Sequence, residues 1–566
     1  MRDRVIIMSN IKLRFLEGTN LYSKDNLIYL KGDGECYRGE LLKVVYDYMN
    51  IGEKLKLNSY IDIVEKNDII EVLISSNNIY LSNNIIKSLM SNSSEETILN
   101  ELESNSDNEW SKKLKEIAIS KNIPYTRINE NEVILGYGEN SFKIDRNDYI
   151  SKYDEDYSKI FNYIDGNVGE IPIISVTGTN GKTTTVRLIH KILLDLGYRS
   201  GLASTGGIYI GNKLIKYGDT TGFYSAREVL KNKDVNVAVL ERGGILKKGL
   251  GYKNSKVAII TSLSEDHIGM ENIKSVDDLI NIKSVITEEL DKDGILIIKA
   301  IPTLVERFKD KNNVILFNYF EDKLIKDHTK RGNIAYYVKE DYIVKNSGGI
   351  EEKVISIKEI PFAFNGISKS NIRNVMVAMI ATEHICKNMN SIIDIVKKIE
   401  CDIYNNLGRQ NILDFNDFKM IIDYGHNSEA FKEVFSIARS MKNNRIIGVI
   451  TAAGDREDIY IKELGEIAAE FCDKIIIKEQ PDLRGRKKGE TAELLKEGAL
   501  NNKYNSENIK VILEEEEAIL YALRNANVGD VIVSFSQFLY LTFPVINKFR
   551  VERGLNKIGE DLDLMH

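Results

Sequence analysis

The chain has 566 residues, 43% hydrophobic and 28% charged, proportions of a folded globular protein that exclude a disordered one. A net charge of -7 and a pI near 5.7 exclude the basic footprint of a nucleic-acid binder. At this length three or four domains are expected. The four cysteines, Cys36, Cys386, Cys401 and Cys472, are far apart without metal-ligand spacing, and read as reduced thiols of a cytoplasmic protein. The opening MRDRVIIMSNIKLRFLEG carries charge too close to its short apolar run for a secretory signal. The longest uncharged run, VIVSFSQFLYLTFPVI, is shorter than the roughly 20 residues of a membrane helix. It reads as a buried strand passing into a helix, so neither a membrane nor a nucleic acid is an expected partner.

The first 110 residues mix short strands such as NLIYLKG with polar loops, which gives a small N-terminal α/β domain over 1–110. SNSSEETILNELESNSDNEW is the most loop-like stretch and marks its boundary, with a short helix available in EETILNELE. From Ile171 onward strand, turn and helix alternate, the mark of a doubly wound α/β domain. IPIISV is an apolar run of strand length, and Val186, Ile189, Leu193 and Leu196 recur at helical spacing with Gly197 as a C-cap. Between them lies SVTGTNGKTT, residues 175–184. The general phosphate loop is G-x-x-x-x-G-K-[ST], and here Val176 stands in place of its first glycine. The loop still opens onto a helix N-terminus, where backbone N–H groups and the helix dipole hold phosphate. Gly178, Thr179, Asn180, Gly181, Lys182, Thr183 and Thr184 are therefore expected to bind nucleotide phosphate; the alternative is a purely structural glycine turn.

Two further strands follow, VNVAVLE ending at Glu241 and KVAIITSL leading into SEDHIGM. Their acidic groups emerge at strand C-termini, the ligand edge of open α/β sheets. Beyond about residue 405 a second α/β pattern begins with FKMIIDYGHN, RIIGVITAAGDRED, DKIIIKEQPDLRGR and DVIVSFS, each a strand emptying into a polar loop.

TGTNGKTTT resembles the phosphate loop of the Mur ligases, ATP-dependent amide ligases in which the first Walker glycine is normally absent. DHIG (266–269), SNIRN (370–374) and GRQN…IIDYGHN (408–427) resemble three further family signatures in the family's order. Within the family, GDTTGFYSAREVL, GGILKKGLGY, DLRGRKKGE and AAGDRED resemble the Mur-type half of the cyanophycin synthetases, over roughly residues 165–566. LRFLEGTNLYS resembles their opening segment, and KNIPYTRINENEVILGYG the lead-in to their ATP-grasp domain. The body of an ATP-grasp domain is absent: about two dozen residues separate GYGENSFKI from GEIPIISVTGTNGKT. The resemblance implies an N-terminal domain (1–110), a remnant lead-in or linker (111–165), a central P-loop ATP-binding domain (166–404) and a Rossmann-like C-terminal domain (405–566).

The implied reaction joins an amino-acid amine, arginine or lysine, to an amino-acid, peptide or polymer carboxylate through an acyl phosphate, with ATP and Mg²⁺. Without ATP-grasp the chain would not polymerise aspartate. By resemblance Lys182 contacts the β- and γ-phosphates, Thr183 and Glu241 ligate magnesium, and His267 helps hold a second one. Lys283 occupies the position of a lysine carbamylated in many Mur ligases; a solvated helix lysine is the alternative. For Glu241 and His267 the alternative is a salt bridge or a polar cap. Asn371 and Asn374 would lie near adenine, Arg409 against the nucleotide and Asp423 on the ribose. His426 and Asn427 would face the nucleotide and acyl phosphate, although Asp, Gly, His and Asn also favour plain turns. In DLRGR, Arg484 would clamp the amine's α-carboxylate with Asp482 and Arg486 nearby, unless this is a basic surface loop; Glu479 or Asp482 could select a cationic side chain. Two departures stand out: relatives read E-T-A-R-G-G where this chain has Glu241, Arg242, Gly243, and Ser262 replaces an asparagine. They leave a catalytically weak ATP-binding regulatory or scaffold protein as a second reading, and a poly-γ-glutamate-type ligase as a third. The oligomeric state, including a homo-oligomer, is left open by the sequence.

Overall fold

The computed structural model describes residues 7–8, 11–33, 35–66, 69–104, 109–129, 131–154, 156–164, 167–243, 249–263 and 275–559. The chain divides into two compact units, one of residues 1–175, 198–258 and 281–294, the other of residues 176–197, 259–280 and 295–566.

In the first unit, strands β1 (Ile7–Met8), β2 (Ile11–Leu16), β3 (Leu27–Asp33), β4 (Ser59–Lys66) and β5 (Ile69–Ser76) form an antiparallel sheet in the order β1-β2-β3-β5-β4. Helices α1 (Glu35–Lys54) and α2 (Ile79–Met90) close over it. Leu41, Val44, Val45, Tyr48 and Ile51 recur every three or four residues along α1 and are all buried, the stripe that seats a helix on a sheet. The 20-residue α1 goes beyond the short strands and loops expected from the sequence. EETILNELE, a short helix that the sequence offered only as an alternative inside its most loop-like stretch, is helical within α3 (Glu95–Ser104).

Residues 109–164, read from sequence as lead-in, carry α4 (Glu109–Ser120), a small antiparallel sheet of β6 (Tyr125–Arg127), β7 (Glu132–Leu135) and β8 (Phe142–Asp145), and α5 (Arg146–Tyr153). They pack their own core: Trp110 is buried 5.6 Å from the Tyr149 ring, over Leu114, Val133, Leu135 and Ile144.

The same unit contains β10 (Ser200–Ser204), β11 (Gly207–Ile210), β12 (Lys213–Lys216), α7 (Phe223–Leu230) and β13 (Val237–Glu241), with β10 parallel to β13. Here the order β12-β11-β10-β13 is continued by the N-terminal residues of β9 (Ile173–Thr177), β14 (Ser255–Ile260) and β15 (Leu290–Lys299). Helix α8 (Val276–Ser284) ends in this unit as well.

In the second unit the C-terminal ends of β9, β14 and β15 are followed in order by β16 (Val314–Phe317), β17 (Ile334–Lys339), β18 (Tyr342–Ser347) and β19 (Ile350–Ser356). Helix α6 (Lys182–Asp195) leaves β9, and α9 (Lys369–Cys386) packs against it. The C-terminal sheet has the order β20-β21-β25-β22-β23-β24, from β20 (Asn411–Asp414), β21 (Lys419–Asp423), β22 (Ile446–Ile450), β23 (Lys474–Ile477), β24 (Ile509–Val511) and β25 (Val531–Phe535). All pairs are parallel except the edge pair β20–β21. Helices α10 (Ser428–Met441), α11 (Asp458–Phe471) and α12 (Glu490–Asn501) cover one face; α13 (Glu515–Arg524) and α14 (Leu539–Glu552) cover the other. That is the doubly wound arrangement, whose ligand edge lies beyond the strand C-termini. The uncharged run 531–546 is β25 passing into α14, as expected. No described helix is long and apolar enough to cross a membrane.

Candidate active site

All five residues of β9 are buried, and the chain turns sharply beyond Thr177. Gly178 takes φ +143° and Gly181 φ +86°. A Cβ would lie 2.1 Å from Thr261 Oγ1 at Gly178 and 2.6 Å from Asn374 Oδ1 at Gly181, so a side chain at either position would collide with the residues the loop packs against. Gly181 is also the N-cap of α6 and offers no side-chain cap.

The loop is braced from the end of β14. Thr179 N donates to Ser262 O at 3.0 Å, Asn180 N to Ser262 Oγ at 2.8 Å, and Thr261 Oγ1 to Asn180 O at 2.6 Å. Ser262, a departure in sequence, is therefore a brace of the loop. Lys182 Nζ donates to Thr179 O at 2.8 Å, and Thr183 and Thr184 are buried in the first turn of α6. Asn374 accepts from Thr185 Oγ1 at 3.5 Å and donates to Asn371 Oδ1 at 3.3 Å. Asn371 in turn donates to Phe362 O at 3.1 Å. The pair thus links the loop to the start of α9.

From the C-terminal sheet, the end of β21 and the start of α10 reach the same loop. Asn427 caps α10, accepting from Ala430 N at 3.0 Å, and donates to Asn180 Oδ1 at 2.9 Å. Glu429 accepts from Asn180 Nδ2 at 2.9 Å and from Lys299 Nζ at 3.3 Å. Neither Glu429 nor Lys299 was singled out in the sequence. The signal was present: Glu429 lies two residues past DYGHN, and Lys299 ends the apolar run GILIIK at the edge where strands deliver ligands. Asp423 is buried and accepts from Gln410 N at 2.8 Å and Gly425 N at 2.6 Å. Burial pushes its carboxyl above the ordinary range, opposed by Arg409. The Arg409 guanidinium lies 4.0 Å from the centre of the Tyr424 ring, whose other neighbour is His426, edge-on at 5.7 Å.

The 482–486 loop follows β23. Arg484 Nη1 donates to both oxygens of Asp455, at 3.1 and 2.9 Å, and Asp482 accepts from the Arg484 backbone N–H. Arg486 is committed to the fold: it donates to Gly454 O and Arg456 O and pairs with Asp458 and Glu490, all within 2.8 Å. Glu479 is buried and accepts from Gly489 N and Ala492 N. Its carboxylate thereby caps α12.

In the first unit Glu241 is fully buried at the end of β13 and accepts from Thr205 N and Thr205 Oγ1, both at 3.0 Å. Thr205 was not foreseen. Beside it Arg242 is also buried and ties two chain segments together through Gly222 O at 2.8 Å and Gly249 O at 2.7 Å. Burial lowers its pKa to about 10. Lys283, at 8% exposure near the end of α8, is not a solvated lysine. His267 lies outside the described residues, among which no group of three His, Cys, Asp or Glu side chains is placed to hold a metal.

The segments that carry these residues match known protein domains. Residues 176–382 match the Mur ligase middle domain and residues 408–538 the Mur ligase glutamate ligase domain. The chain belongs to the Mur ligase family. A cyanophycin synthetase of Crocosphaera subtropica is 33% identical over 383 residues, 67% of this chain and 44% of that one. A UDP-N-acetylmuramoyl-L-alanyl-D-glutamate–2,6-diaminopimelate ligase of Clostridium perfringens is 26% identical, covering 66% of this chain and 74% of its own. The chain spans less than half the length of the cyanophycin synthetases it matches. Among solved structures, E. coli FolC in complex with DHPP and ADP aligns with 68% of this chain and 89% of its own at 18% identity, with a TM-score of 0.49. In this Mur ligase family member, the middle-domain match begins on the strand that opens the phosphate loop, and the second match contains Arg409, Asp423 and the DLRGR loop.

Proposed function

We propose that this chain is an ATP-dependent carboxylate–amine ligase that releases ADP and forms an amide or isopeptide bond. The observation that carries the reading is the strand–loop–helix turn: two positive-φ glycines that let the loop pack directly on Thr261 and Asn374, a helix start without a side-chain cap, and Lys182 within the same loop. A polyphosphate fits that donor set, because the amides and the lysine are its natural partners. Asp423 suits a ribose hydroxyl and Arg409 the nucleotide. The hydroxyl of Thr183 is a hard oxygen donor of the kind Mg²⁺ prefers, and such an ion would neutralise charge on the phosphates.

In the proposed sequence a substrate carboxylate oxygen attacks the γ-phosphorus and ADP departs, leaving an acyl phosphate. The amine nitrogen then attacks the acyl carbon, phosphate departs, and the amine proton passes to solvent. The chain's own work is positioning and charge neutralisation. Lys182 follows the transferred group, and Asn427 holds Asn180 and hence the loop. Arg484 is the residue for the amine's α-carboxylate, which would replace Asp455 on the guanidinium and leave that carboxylate facing a cationic side chain. Arginine or lysine is therefore the preferred amine, and a polyaspartate-like chain the preferred acceptor.

The test is ADP release with Mg²⁺ and ATP, crossing poly-aspartate, β-aspartyl peptides and poly-glutamate with arginine, lysine, ornithine and glutamate. Turnover that needs both an acceptor and an amine supports the ligase. Tight ATP binding with no turnover in any combination would instead support an ATP-binding regulatory protein.

A further inference from the structure

The phosphate loop faces a carboxylate for which the proposed reaction has no use. Glu429 is the second residue of α10, where an acidic side chain usually serves the free amides of the helix start. Here Asn427 takes the Ala430 amide, while the oxygens of Glu429 go to Asn180 Nδ2 at 2.9 Å and Lys299 Nζ at 3.3 Å. The Lys299 side chain is only 17% exposed, and Glu429 is its only partner among the described residues. β14 and β15 are neighbours in the sheet, so Ser262, just past one strand, and Lys299, closing the other, reach the same edge. A lysine ammonium and a side-chain amide N–H thus converge on one carboxylate beside a loop built to hold anions.

We propose that Lys299 Nζ and Asn180 Nδ2 form an oxyanion subsite beside the phosphate loop, that Glu429 fills it in the ligand-free protein, and that a substrate oxyanion displaces Glu429. The subsite rests on the reading of residues 177–184 as the nucleotide phosphate site. Two substrate groups share the required chemistry: the γ-phosphoryl group of the nucleotide and the carboxylate of the acceptor. Glu429 then acts as an internal competitor. When it leaves, Asn180 loses one of its three hydrogen bonds to Asn427 and Glu429, so filling the subsite also loosens the loop from the start of α10.

Calorimetry in Mg²⁺ on the full chain tests this with wild type, Glu429→Gln, Lys299→Met and Lys299→Arg, with thermal melts to confirm folding. ADP and AMP-PNP differ in the γ-group, and poly-L-aspartate titrated into the ADP complex supplies carboxylate. If the γ-group is the displacing anion, Glu429→Gln raises the preference for AMP-PNP over ADP about fivefold, the scale of a partly exposed ion pair. If it is the acceptor, poly-L-aspartate tightens by a similar factor and the nucleotide preference stays put. In either case Lys299→Met abolishes the gain when combined with Glu429→Gln, and Lys299→Arg keeps it. A folded Glu429→Gln protein with neither shift, or with ADP and AMP-PNP tightened equally, overturns the subsite while leaving the phosphate loop intact. A wild type that binds no nucleotide removes the phosphate-site reading and the subsite with it.

Discussion

The phosphate loop and the 482–486 loop both leave parallel strands at their C-terminal ends, and they are held in opposite ways. The first is fixed by its neighbours: Thr261 and Ser262 grip its backbone, its glycines let it pack on Thr261 and Asn374, and the start of α6 has no side-chain cap. The second is fixed by its own charged side chains. Arg486 spends its guanidinium on two carbonyls and two carboxylates, Glu479 caps a helix, and Arg484 is paired with Asp455. A motif of charged residues at a ligand edge can therefore serve mainly as a fastener, whereas the glycine loop is shaped by backbone that packs too closely for side chains.

Removing the cation of the first loop should have the largest effect. Lys182→Ala is expected to lower ADP release by about two to three orders of magnitude, the cost of one donor to developing charge, with little change in melting temperature. Turnover that survives the substitution would end the comparison. Next is the buried pair one residue before Glu479, Lys478 Nζ to Glu515 Oε2 at 2.7 Å, with Thr542 Oγ1 on the other oxygen at 2.9 Å. Lys478→Met should cost about 3–5 kcal/mol by leaving a buried carboxylate unpaired. Urea titrations should show much of that restored when Glu515→Leu is added.

The two arginines divide the second loop more finely. Arg486→Ala should lose about 1–3 kcal/mol of stability through its abandoned buried carbonyls. Arg484→Ala should lose less than about 1 kcal/mol and instead raise the KM for the amine. Equal losses in chemical denaturation, with no change in KM, would make Arg484 a fastener too.

A smaller effect belongs to the carboxylate beside the phosphate loop. Burial raises the pKa of Glu429, but Lys299, Asn180 and Arg373 outweigh it and hold the carboxylate below its ordinary range. Its stabilising contribution is complete above the ordinary carboxylate range and fades as pH falls through the lowered value. The stability difference between wild type and Glu429→Gln should therefore be present at neutral pH and disappear in acid, as followed by melts across that range. The smallest effect is chemical: burial pushes the Cys401 thiol up to about 12 and Cys472 well above the ordinary thiol value, while Cys386 is half-buried. Mass spectrometry after brief alkylation of the native protein should find Cys386 modified before either of them.

Much of the architecture could be read directly from the residues. The strand-to-helix passage around Lys182, the run 531–546 and the second α/β pattern after residue 405 are consequences of period and polarity, which local sequence carries. The long helix α1 was missed although its apolar residues recur at helical spacing, because polar loops on both sides of short strands dominated the reading of that region. The site divides along the same line. Gly178, Gly181 and Lys182 lie together in the chain, and their setting between a buried strand and a helix start pointed to a phosphate loop although its first glycine is missing.

Sequence by itself determined the family, the alternation of strands and helices from Ile171 onward, and the loop on which a phosphate would rest. Tertiary structure alone decided what each charged side chain meets: that Ser262 braces the loop across a separation of 82 residues, that Arg486 and Glu479 hold the fold, and that Lys299 and Glu429 converge on Asn180. Backbone conformation follows from neighbours in the chain, whereas an ion pair forms with whichever groups the packed strands bring within about 4 Å, and no local pattern encodes that choice.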